Sequence, residues 1–379
     1  MDIEKEKWIE TLESAELSDH DEPYRYDSLD DADDADEVKK IPHENRLRTL
    51  THDHVKVSKE YYRGCLLGGA VADAKCLALK EFGRDLISDN TQMAYFTLDG
   101  LYWADSRAKR RGVYAYIPCL FYAYQKWYYT QTGSLSDDRY DFILQGEILR
   151  WEELFARRGK GMTSINALAS SINGKYGTIT NRINQNNTCG AVNRVAPIGM
   201  YFPGDIKMAF RVGCDSAAIT HGHTNAIYSS GFMAALISSI FAGNSIKEAA
   251  YKGLSCLREK PEAADVAKAI GKALILSDEL DDYRMLLRQI GLGYTSEEAV
   301  AIAVLIAIRF SDDFESAINA AIVYGGNTDS IPPLIGSILG TYLGSLEIPY
   351  RWVQKLELAE LAVYGADKLL TRVKENGGW

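Results

Sequence analysis

The sequence predicts an all-α fold, a compact orthogonal bundle, because helical periodicity dominates it from about residue 61 onward. Residues 91–104 carry a wide apolar face, whereas residues 226–241 and 297–310 are apolar on most sides and are typical of buried helices. Alternating strand patterns are scarce, and only the run at 195–200 weakly favours a strand. No segment repeats at a fixed period, which argues against a helical array.

A further apolar helix is predicted at residues 331–343. Pro332 and Pro333 fall in its first turn, where proline is tolerated because the backbone N–H there has no helical acceptor. Small residues and aliphatics follow, which indicates a helix packed closely against its neighbours.

Residues 1–58 form an acidic extension, and residues 59–379 are predicted to form one domain. The extension has too many acidic and too few apolar residues to bury a core of its own. Three interpretations are open. It is a largely disordered tail, an arm that binds a basic partner surface through Trp8, Tyr24 and Tyr26, or a segment that folds back on its own body.

Composition and charge limit the function classes. The formal net charge is −10, which argues against a nucleic-acid backbone as the main partner. No apolar run has the length of about 18 residues that indicates a membrane helix, and the N-terminus does not resemble a secretory signal. The six cysteines are dispersed and are expected to be small buried thiols in a reducing compartment. We therefore expect a cytoplasmic protein.

Two short polar segments each open a strongly apolar helix. Residues 87–93 read Ile-Ser-Asp-Asn-Thr-Gln-Met, and residues 324–331 read Tyr-Gly-Gly-Asn-Thr-Asp-Ser-Ile. Their hydroxyl, carboxylate and carboxamide oxygens suit hard divalent cations such as Mg²⁺ or Mn²⁺. Helix capping is the alternative for either segment, because the same residue types are preferred N-caps. Gly325 and Gly326 free the second backbone to turn sharply.

Histidines and a basic run offer two weaker signals. His221 and His223 could bind a metal, but no cysteine or carboxylate follows at ligand spacing, so structural or supporting roles are favoured. The basic run at residues 107–111 is typical of a solvated helix end, although it could also receive the acidic extension. Neither a P-loop nor a dinucleotide-binding glycine pattern is present.

Five motifs, in the same order along the chain, resemble those of the ADP-ribosylglycohydrolase family. They are a GxLxGxxxGD-like helix at residues 64–73, an (S/T)DDTQM-like turn at 88–93, a GxxMRxAPIG-like segment at 189–199, a TH pair at Thr220 and His221, and a GGDTDT-like turn at 325–331. The resemblance covers about residues 61–358. Any one motif is weak, whereas five in order are specific.

The resemblance implies an all-α fold with two metal ions and hydrolysis of the bond between ADP-ribose and a protein side chain, often arginine. It implies that Mg²⁺ or Mn²⁺ is held by Ser88, Asp89, Asn90, Asn327, Asp329 and Ser330, with Asp329 bridging. It implies substrate contacts from Gly190, Ala191, Asn193, Gly325 and Gly326. It implies catalytic roles for Asp89 and Asp329.

The sequence departs from the family pattern at chemically important positions. Asn90 and Asn327 stand where the family has Asp, so each keeps an oxygen but removes a negative charge, which should weaken ion binding. Lys80 falls in the register of a glutamate that many members use for catalysis, and Glu81, one position later, is the candidate to replace it. Asn193 stands in place of the usual Met.

Three functions are open at this level. In the first, the protein counters ADP-ribosylation as a hydrolase that acts on an ADP-ribosylated protein or on ADP-ribose with one or two weakly bound ions. In the second, it is catalytically degenerate and blocks an ADP-ribosyltransferase toxin, as immunity proteins among its relatives do, with residues 1–58 as the binding arm. In the third, it binds ADP-ribose without turnover.

Overall fold

The structure is a computed structural model that describes residues 55–77, 80–81, 83–159 and 161–377. Positions 77, 80 and 81 are described in their backbone alone. All but the last few residues of the predicted acidic extension lie outside the described residues, so its three interpretations stay predictions.

Sixteen α-helices make up most of the described chain, which confirms the predicted all-α class. The first eight are α1 Lys59–Leu77, α2 Asp89–Arg111, α3 Tyr116–Thr132, α4 Met162–Ala169, α5 Gly190–Asn193, α6 Ala196–Tyr201, α7 Ile206–Ala218 and α8 Thr224–Phe241. The others are α9 Ile246–Arg258, α10 Ala264–Leu276, α11 Tyr283–Ile290, α12 Ser296–Arg309, α13 Phe314–Tyr324, α14 Ile331–Leu343, α15 Tyr350–Val353 and α16 Ala359–Gly377.

The remaining regular structure is short. Strands β1, Lys80–Glu81, and β2, Arg84–Asp85, form an antiparallel pair between α1 and α2, and they make the one sheet seen in the described ranges. Short 3-10 helices span Asp138–Leu144, Glu147–Arg150, Glu152–Phe155, Pro261–Ala263 and Ser345–Glu347. The sequence did not predict the hairpin.

Helices α1 and α14 approach so closely that their backbones touch. A Cβ atom at Gly68 would lie 2.2 Å from the carbonyl oxygen of Gly336, and one at Gly340 would lie 1.9 Å from that of Gly64. Glycine is required at such a close approach because any side chain would overlap the facing backbone. These pairs run in opposite directions, so the C-terminal end of α1 lies beside the N-terminal end of α14.

Helix α8 forms the centre of the core. Every residue from Asn225 to Phe241 is buried, and the helix packs against α6, α7, α9, α12 and α14. A helix that is apolar on all sides must be covered on all sides, which is why the sequence predicts it as buried. None of the helices in the described ranges is long and apolar enough to cross a membrane.

The weak strand expectation at residues 195–200 is wrong, because that segment forms helix α6. Pro197 lies in its first turn, where the fixed φ of proline favours a helix start. The segment is buried on all sides, so its apolar run carries no period that separates a short helix from a strand.

Candidate functional site

The first acidic turn, residues 87–93, is anchored by Asp73, which lies near the end of α1. Its carboxylate accepts hydrogen bonds from Ser88 Oγ at 2.7 Å, from the Ser88 backbone N–H at 2.8 Å and from Thr91 Oγ1 at 2.5 Å. Ser88 Oγ in turn accepts from the backbone N–H of Asn90 at 3.0 Å, so Ser88 is the N-cap of α2. The capping alternative therefore holds for this residue.

Burial dominates the electrostatics of this turn. It raises the pKa of Asp73 to about 6. The three hydrogen bonds that the carboxylate accepts lower this pKa, but their effect is smaller than that of burial. Burial also raises the pKa of Asp89, and the nearby charge of Asp329 raises it further. Both carboxyl groups would be stabilised in their charged form by a nearby cation.

The loop between the 3-10 helix Glu152–Phe155 and α4 covers Asp89. A Cβ atom at Gly159 would lie 1.9 Å from Asp89 Oδ1, and one at Gly161 would lie 2.9 Å from Asp89 Oδ2. Glycine at both positions lets the loop backbone lie directly on the carboxylate. Our sequence reasoning missed this loop; the signal was the paired glycines after Arg157 and Arg158.

The second acidic turn, residues 324–331, contains two glycines whose backbone is in the left-handed conformation. Gly325 and Gly326 have φ of 81° and 69°, and a Cβ atom at Gly326 would lie 2.4 Å from the Leu292 carbonyl oxygen. Asn327 fixes the turn to the preceding loop, because its backbone N–H donates to the same Leu292 oxygen at 2.9 Å and its Nδ2 donates to the Gly293 oxygen at 2.8 Å. The expected sharp turn is confirmed.

The structure brings the two turns together, as the sequence predicts for a shared site. Asn90 Nδ2 donates to the backbone carbonyl oxygen of Asp329 at 2.9 Å. Asp89 and Asp329 are close enough for their charges to interact. The Asp329 side chain is exposed, whereas Ser330 beside it is buried. The contact brings together two turns that are more than 230 positions apart in the sequence.

Helix α5 places the predicted substrate residues beside the second turn. Cys189, which precedes the helix, accepts a hydrogen bond on Sγ from Asn327 Nδ2 at 3.6 Å. Gly190 is half-buried, and a Cβ atom there would touch the His221 ring at 3.5 Å. Ala191 is fully buried, so its contribution to a ligand is limited to the packing that supports Gly190.

Asn193 is buried as well, and it is polar where a core side chain is expected. It lines a cavity of about 20 Å³ together with Asn90 and Thr91, and its Oδ1 has no hydrogen-bond partner in the described part of the chain. The cavity has room for about one water molecule, and its lining is mainly apolar, with Asn193 among the few polar side chains. Asn193 therefore lies behind the first turn rather than on the open face.

The comparisons with known proteins agree with this geometry. The sequence model of the family described as ADP-ribosylglycohydrolase matches residues 56–378. The chain belongs to the ADP-ribosylglycohydrolase family. Members of this family act on ADP-ribosylated substrates, and the match covers α1 to α16 together with both acidic turns.

One protein sequence and one solved structure are similar to this chain. An uncharacterized protein of Archaeoglobus fulgidus is 29% identical over 222 residues, which cover 58% of this chain and 69% of that protein. A solved structure described as an ADP-ribosylglycohydrolase-related protein complex has a TM-score of 0.52 and 18% identity, covering 83% of this chain and 98% of the other. That similarity shows a shared fold.

The candidate site has the oxygen atoms that a hard divalent cation prefers, and few of them are charged. In the described residues no group of three or more His, Cys, Asp and Glu side chains could hold a metal. Asp89 and Asp329 nevertheless lie close together, and no basic side chain among the described residues forms an ion pair with either. Carboxamide oxygens of Asn90 and Asn327 can complete such a set because their N–H groups bond elsewhere. Ser88 is the least available of the predicted metal ligands, since its hydroxyl already donates a hydrogen bond to Asp73.

Four other residues singled out in the sequence are Lys80, Glu81, His221 and His223. The side chains of Lys80 and Glu81 lie outside the described residues, so a catalytic role for Glu81 stays a prediction. His223 caps α8 by accepting the Asn225 backbone N–H on Nδ1 at 3.1 Å. His221 is buried and bonded to threonines on both ring nitrogens, so both histidines have the supporting roles that the sequence favours.

Proposed function

We propose that this protein counters ADP-ribosylation by hydrolysing the glycosidic bond between ADP-ribose and a protein side chain, with arginine as the modified residue and Mg²⁺ or Mn²⁺ as the cofactor. One observation carries the proposal. The Asn90 to Asp329 hydrogen bond joins the two acidic turns, so that Asp89 and Asp329 share one site on the fold of this family.

Asp89 and Asp329 would hold the cation, with carboxamide oxygens of Asn90 and Asn327 as neutral partners. A divalent ion bound there would orient ribose hydroxyls and polarise the reacting centre. Asp73 does not touch the ligand, but its three hydrogen bonds fix the backbone that carries Asp89.

Substrate would lie across the second turn and the loop that precedes α12. Gly325 and Gly326 leave this surface free of side chains, and Tyr294 beside them is exposed, with its hydroxyl 3.5 Å from the Gly326 oxygen. An exposed ring at this place can stack on a base such as adenine. Gly190 would supply backbone contacts from the opposite side.

A second function is favoured by the low charge of the donor set. Asn90 and Asn327 leave two acidic ligands in the described residues where the family pattern supplies four, so the ion would be held weakly. In this version the protein binds an ADP-ribosyltransferase or ADP-ribose without turnover, and the acidic extension is the binding arm.

The proposal places the reaction in the cytoplasm. All six cysteines are free, and five of them are buried, as expected for thiols in a reducing compartment. Cys76 is the half-buried exception, and its burial, together with the nearby charges of Asp73 and Asp329, raises its pKa.

The test is release of ADP-ribose from an arginine-ADP-ribosylated protein, with Mg²⁺ or Mn²⁺ and with EDTA. We expect metal-dependent release that falls at least about a hundredfold in Asp89→Asn and in Asp329→Asn, because each loses a charged ligand. Asp312→Asn, an exposed aspartate on the α12–α13 loop, is the matched control and should keep full activity. Folded protein that releases nothing with any divalent ion would overturn the hydrolase and favour the binding function.

A further inference from the structure

Arg194 is a fully buried cation without a carboxylate partner among the described residues. Its Nη2 donates to the carbonyl oxygen of Ser216 and to Thr220 Oγ1, both at 2.8 Å, and its guanidinium carbon lies 4.1 Å from the centre of the Tyr124 ring. A buried charge is costly unless hydrogen bonds and dipoles neutralise it. The groups bonded to Arg194 are therefore oriented by its charge.

That orientation continues through Thr220 to His221. Because Thr220 Oγ1 accepts from Arg194, its own proton is available for His221 Nδ1, which lies 2.8 Å away. Burial, together with the charge of Arg194, lowers the pKa of His221 to about 3, so the ring is neutral at physiological pH. A neutral ring that accepts on Nδ1 must carry its proton on Nε2.

The chain of hydrogen bonds ends at an exposed hydroxyl. His221 Nε2 lies 3.2 Å from Thr188 Oγ1, so the protonated nitrogen donates to Thr188. Thr188 Oγ1 forms no other hydrogen bond within the described ranges, and its side chain is exposed. Its own proton is consequently free to point away from the ring, toward a ligand.

The loop that carries Thr188 is held in place. The Thr188 backbone N–H donates to Asn186 Oδ1 at 2.9 Å. Asn184 Oδ1 accepts from the N–H groups of Asn186 at 3.0 Å and Gly222 at 2.9 Å, which fixes the loop to the end of the segment containing His221. The next residue, Cys189, contacts the second acidic turn. Thr188 is therefore a preorganised donor at the edge of the candidate site.

We propose that Thr188 donates a hydrogen bond to a diphosphate oxygen of the ADP-ribose ligand. Arg194, Thr220 and His221 act as positioning residues that fix the direction of its proton. The positive charge of buried Arg194 aligns the hydrogen bonds that lead to Thr188, so the Thr188 hydroxyl suits an anionic acceptor. The acidic turns on the other side suit hydroxyl groups and a cation. This inference rests on the proposed function for the identity of the ligand, but the direction of the hydrogen bonds does not.

The first experiment measures the His221 tautomer in the full-length protein labelled with ¹⁵N-histidine, with its signals assigned by comparison with His221→Gln. We expect Nε2–H in the unmodified protein and in Thr220→Ser, which keeps the hydroxyl. Thr220→Val removes the donor to Nδ1 and should shift the ring to a mixture of tautomers or to Nδ1–H. A ring that already carries its proton on Nδ1 in the unmodified protein would overturn the proposed direction.

The second experiment measures the affinity for ADP-ribose and for ADP by calorimetry. Thr188→Val should weaken both by about tenfold, because it leaves a charged oxygen without a donor. Thr188→Ser should restore the affinity, and Thr371→Val, which removes an exposed threonine hydroxyl on α16, should leave it unchanged. The His221 tautomer should be the same in Thr188→Val as in the unmodified protein.

The outcomes separate the two proposals. If the unmodified protein binds neither ADP-ribose nor ADP, the proposed function fails, and so does the ligand assigned to Thr188. If it binds both and Thr188→Val binds equally well, Thr188 is not a ligand donor and the present inference fails alone. A penalty for ADP-ribose with none for ADP would assign the contact to the distal ribose and overturn the diphosphate assignment.

Discussion

The candidate site has two sides that bury opposite charges. On the acidic side, formed by Asp73, Asp89 and Asp329, burial raises the pKa of the first two carboxyl groups. On the opposite side, called the histidine side and formed by Arg194, Thr220 and His221, burial lowers the pKa of Arg194 and of His221. Cys189 and Asn327 connect the two sides through a hydrogen bond of 3.6 Å from Asn327 Nδ2 to Cys189 Sγ.

The two sides balance their charge by different means. On the histidine side, Arg194 Nη2 donates to a carbonyl oxygen and to Thr220, and the guanidinium lies on an aromatic ring, whereas its Nε and Nη1 have no hydrogen-bond partner among the described residues. On the acidic side, the Asp73 carboxylate accepts three hydrogen bonds, whereas Asp89 and Asp329 form no ion pair with a basic side chain in the described residues. These last two carboxylates of the acidic side are the reason for proposing an external cation there, whereas the cation of the histidine side, Arg194, belongs to the chain itself.

The largest expected effect tests whether Asp73 supports the acidic side. Asp73→Ala leaves three buried donors without an acceptor, so we expect the free energy of unfolding to fall by about 3 kcal/mol. Urea denaturation measures this change. Asp312→Ala, at an exposed position, is the control and should change stability by less than about 0.5 kcal/mol. A loss as small as that of the control would mean that the turn forms without Asp73.

The glycines of the second turn allow a matched comparison. Gly325 and Gly326 both have positive φ, but a Cβ atom meets nothing within 4 Å at the former and the Leu292 oxygen at 2.4 Å at the latter. Gly326→Ala should therefore destabilise the protein by about 2 kcal/mol more than Gly325→Ala, which has the backbone strain alone. Thermal or urea unfolding of the two variants gives the difference. Equal losses would show that the loop before α12 can move away.

A charge restored at Asn90 tests the need for a cation. Asn90→Asp removes the donor to the Asp329 carbonyl oxygen and adds a fourth carboxyl group to the acidic side, so in EDTA the free energy of unfolding should fall by about 1 kcal/mol. Saturating Mg²⁺ or Mn²⁺ should restore it, because the added carboxylate becomes a ligand. Asn319→Asp, on the exposed face of α13, should not respond to metal. An equal loss in EDTA and in Mg²⁺ would contradict a cation on the acidic side.

The pH dependence of the histidine side is a separate test, because it is measured as a slope of stability against pH and not as a single loss. His221 has a folded pKa of about 3, below its usual 6.5, so the unfolded chain binds the proton first as pH falls. Its contribution to stability is complete above 6.5 and is lost progressively toward pH 3, at up to about 1.4 kcal/mol per pH unit. His221→Gln should remove this part of the slope in urea titrations between pH 4.5 and 6.5. His223→Gln, at the half-buried cap of α8, is the control, and an unchanged slope in His221→Gln would contradict a buried neutral ring.

Local sequence patterns determined the class and most of the helices. The predicted helix at 331–343 has the bounds of α14, and the predicted starts at 226 and 297 lie within two residues of those observed. Helix α2 is longer than the predicted 91–104, because its exposed basic end has no apolar period to mark it. Both acidic turns were found for the same reason, since hydroxyl, carboxylate and glycine residues at consecutive positions are a local signal.

Tertiary structure alone decided how those parts act together. The Gly159 loop over Asp89, the hydrogen bond from Asn90 to Asp329 and the burial of Asn193 depend on contacts between distant parts of the chain. So does the direction of the hydrogen bonds from Arg194 to Thr188, which follows from which atoms have partners. The sequence by itself determined residue types and local periodicity, and these fix helices and turns. Which charges are covered, and which hydroxyl remains free to donate, is decided when the helices pack and exclude water, because only then does each polar group need a specific partner.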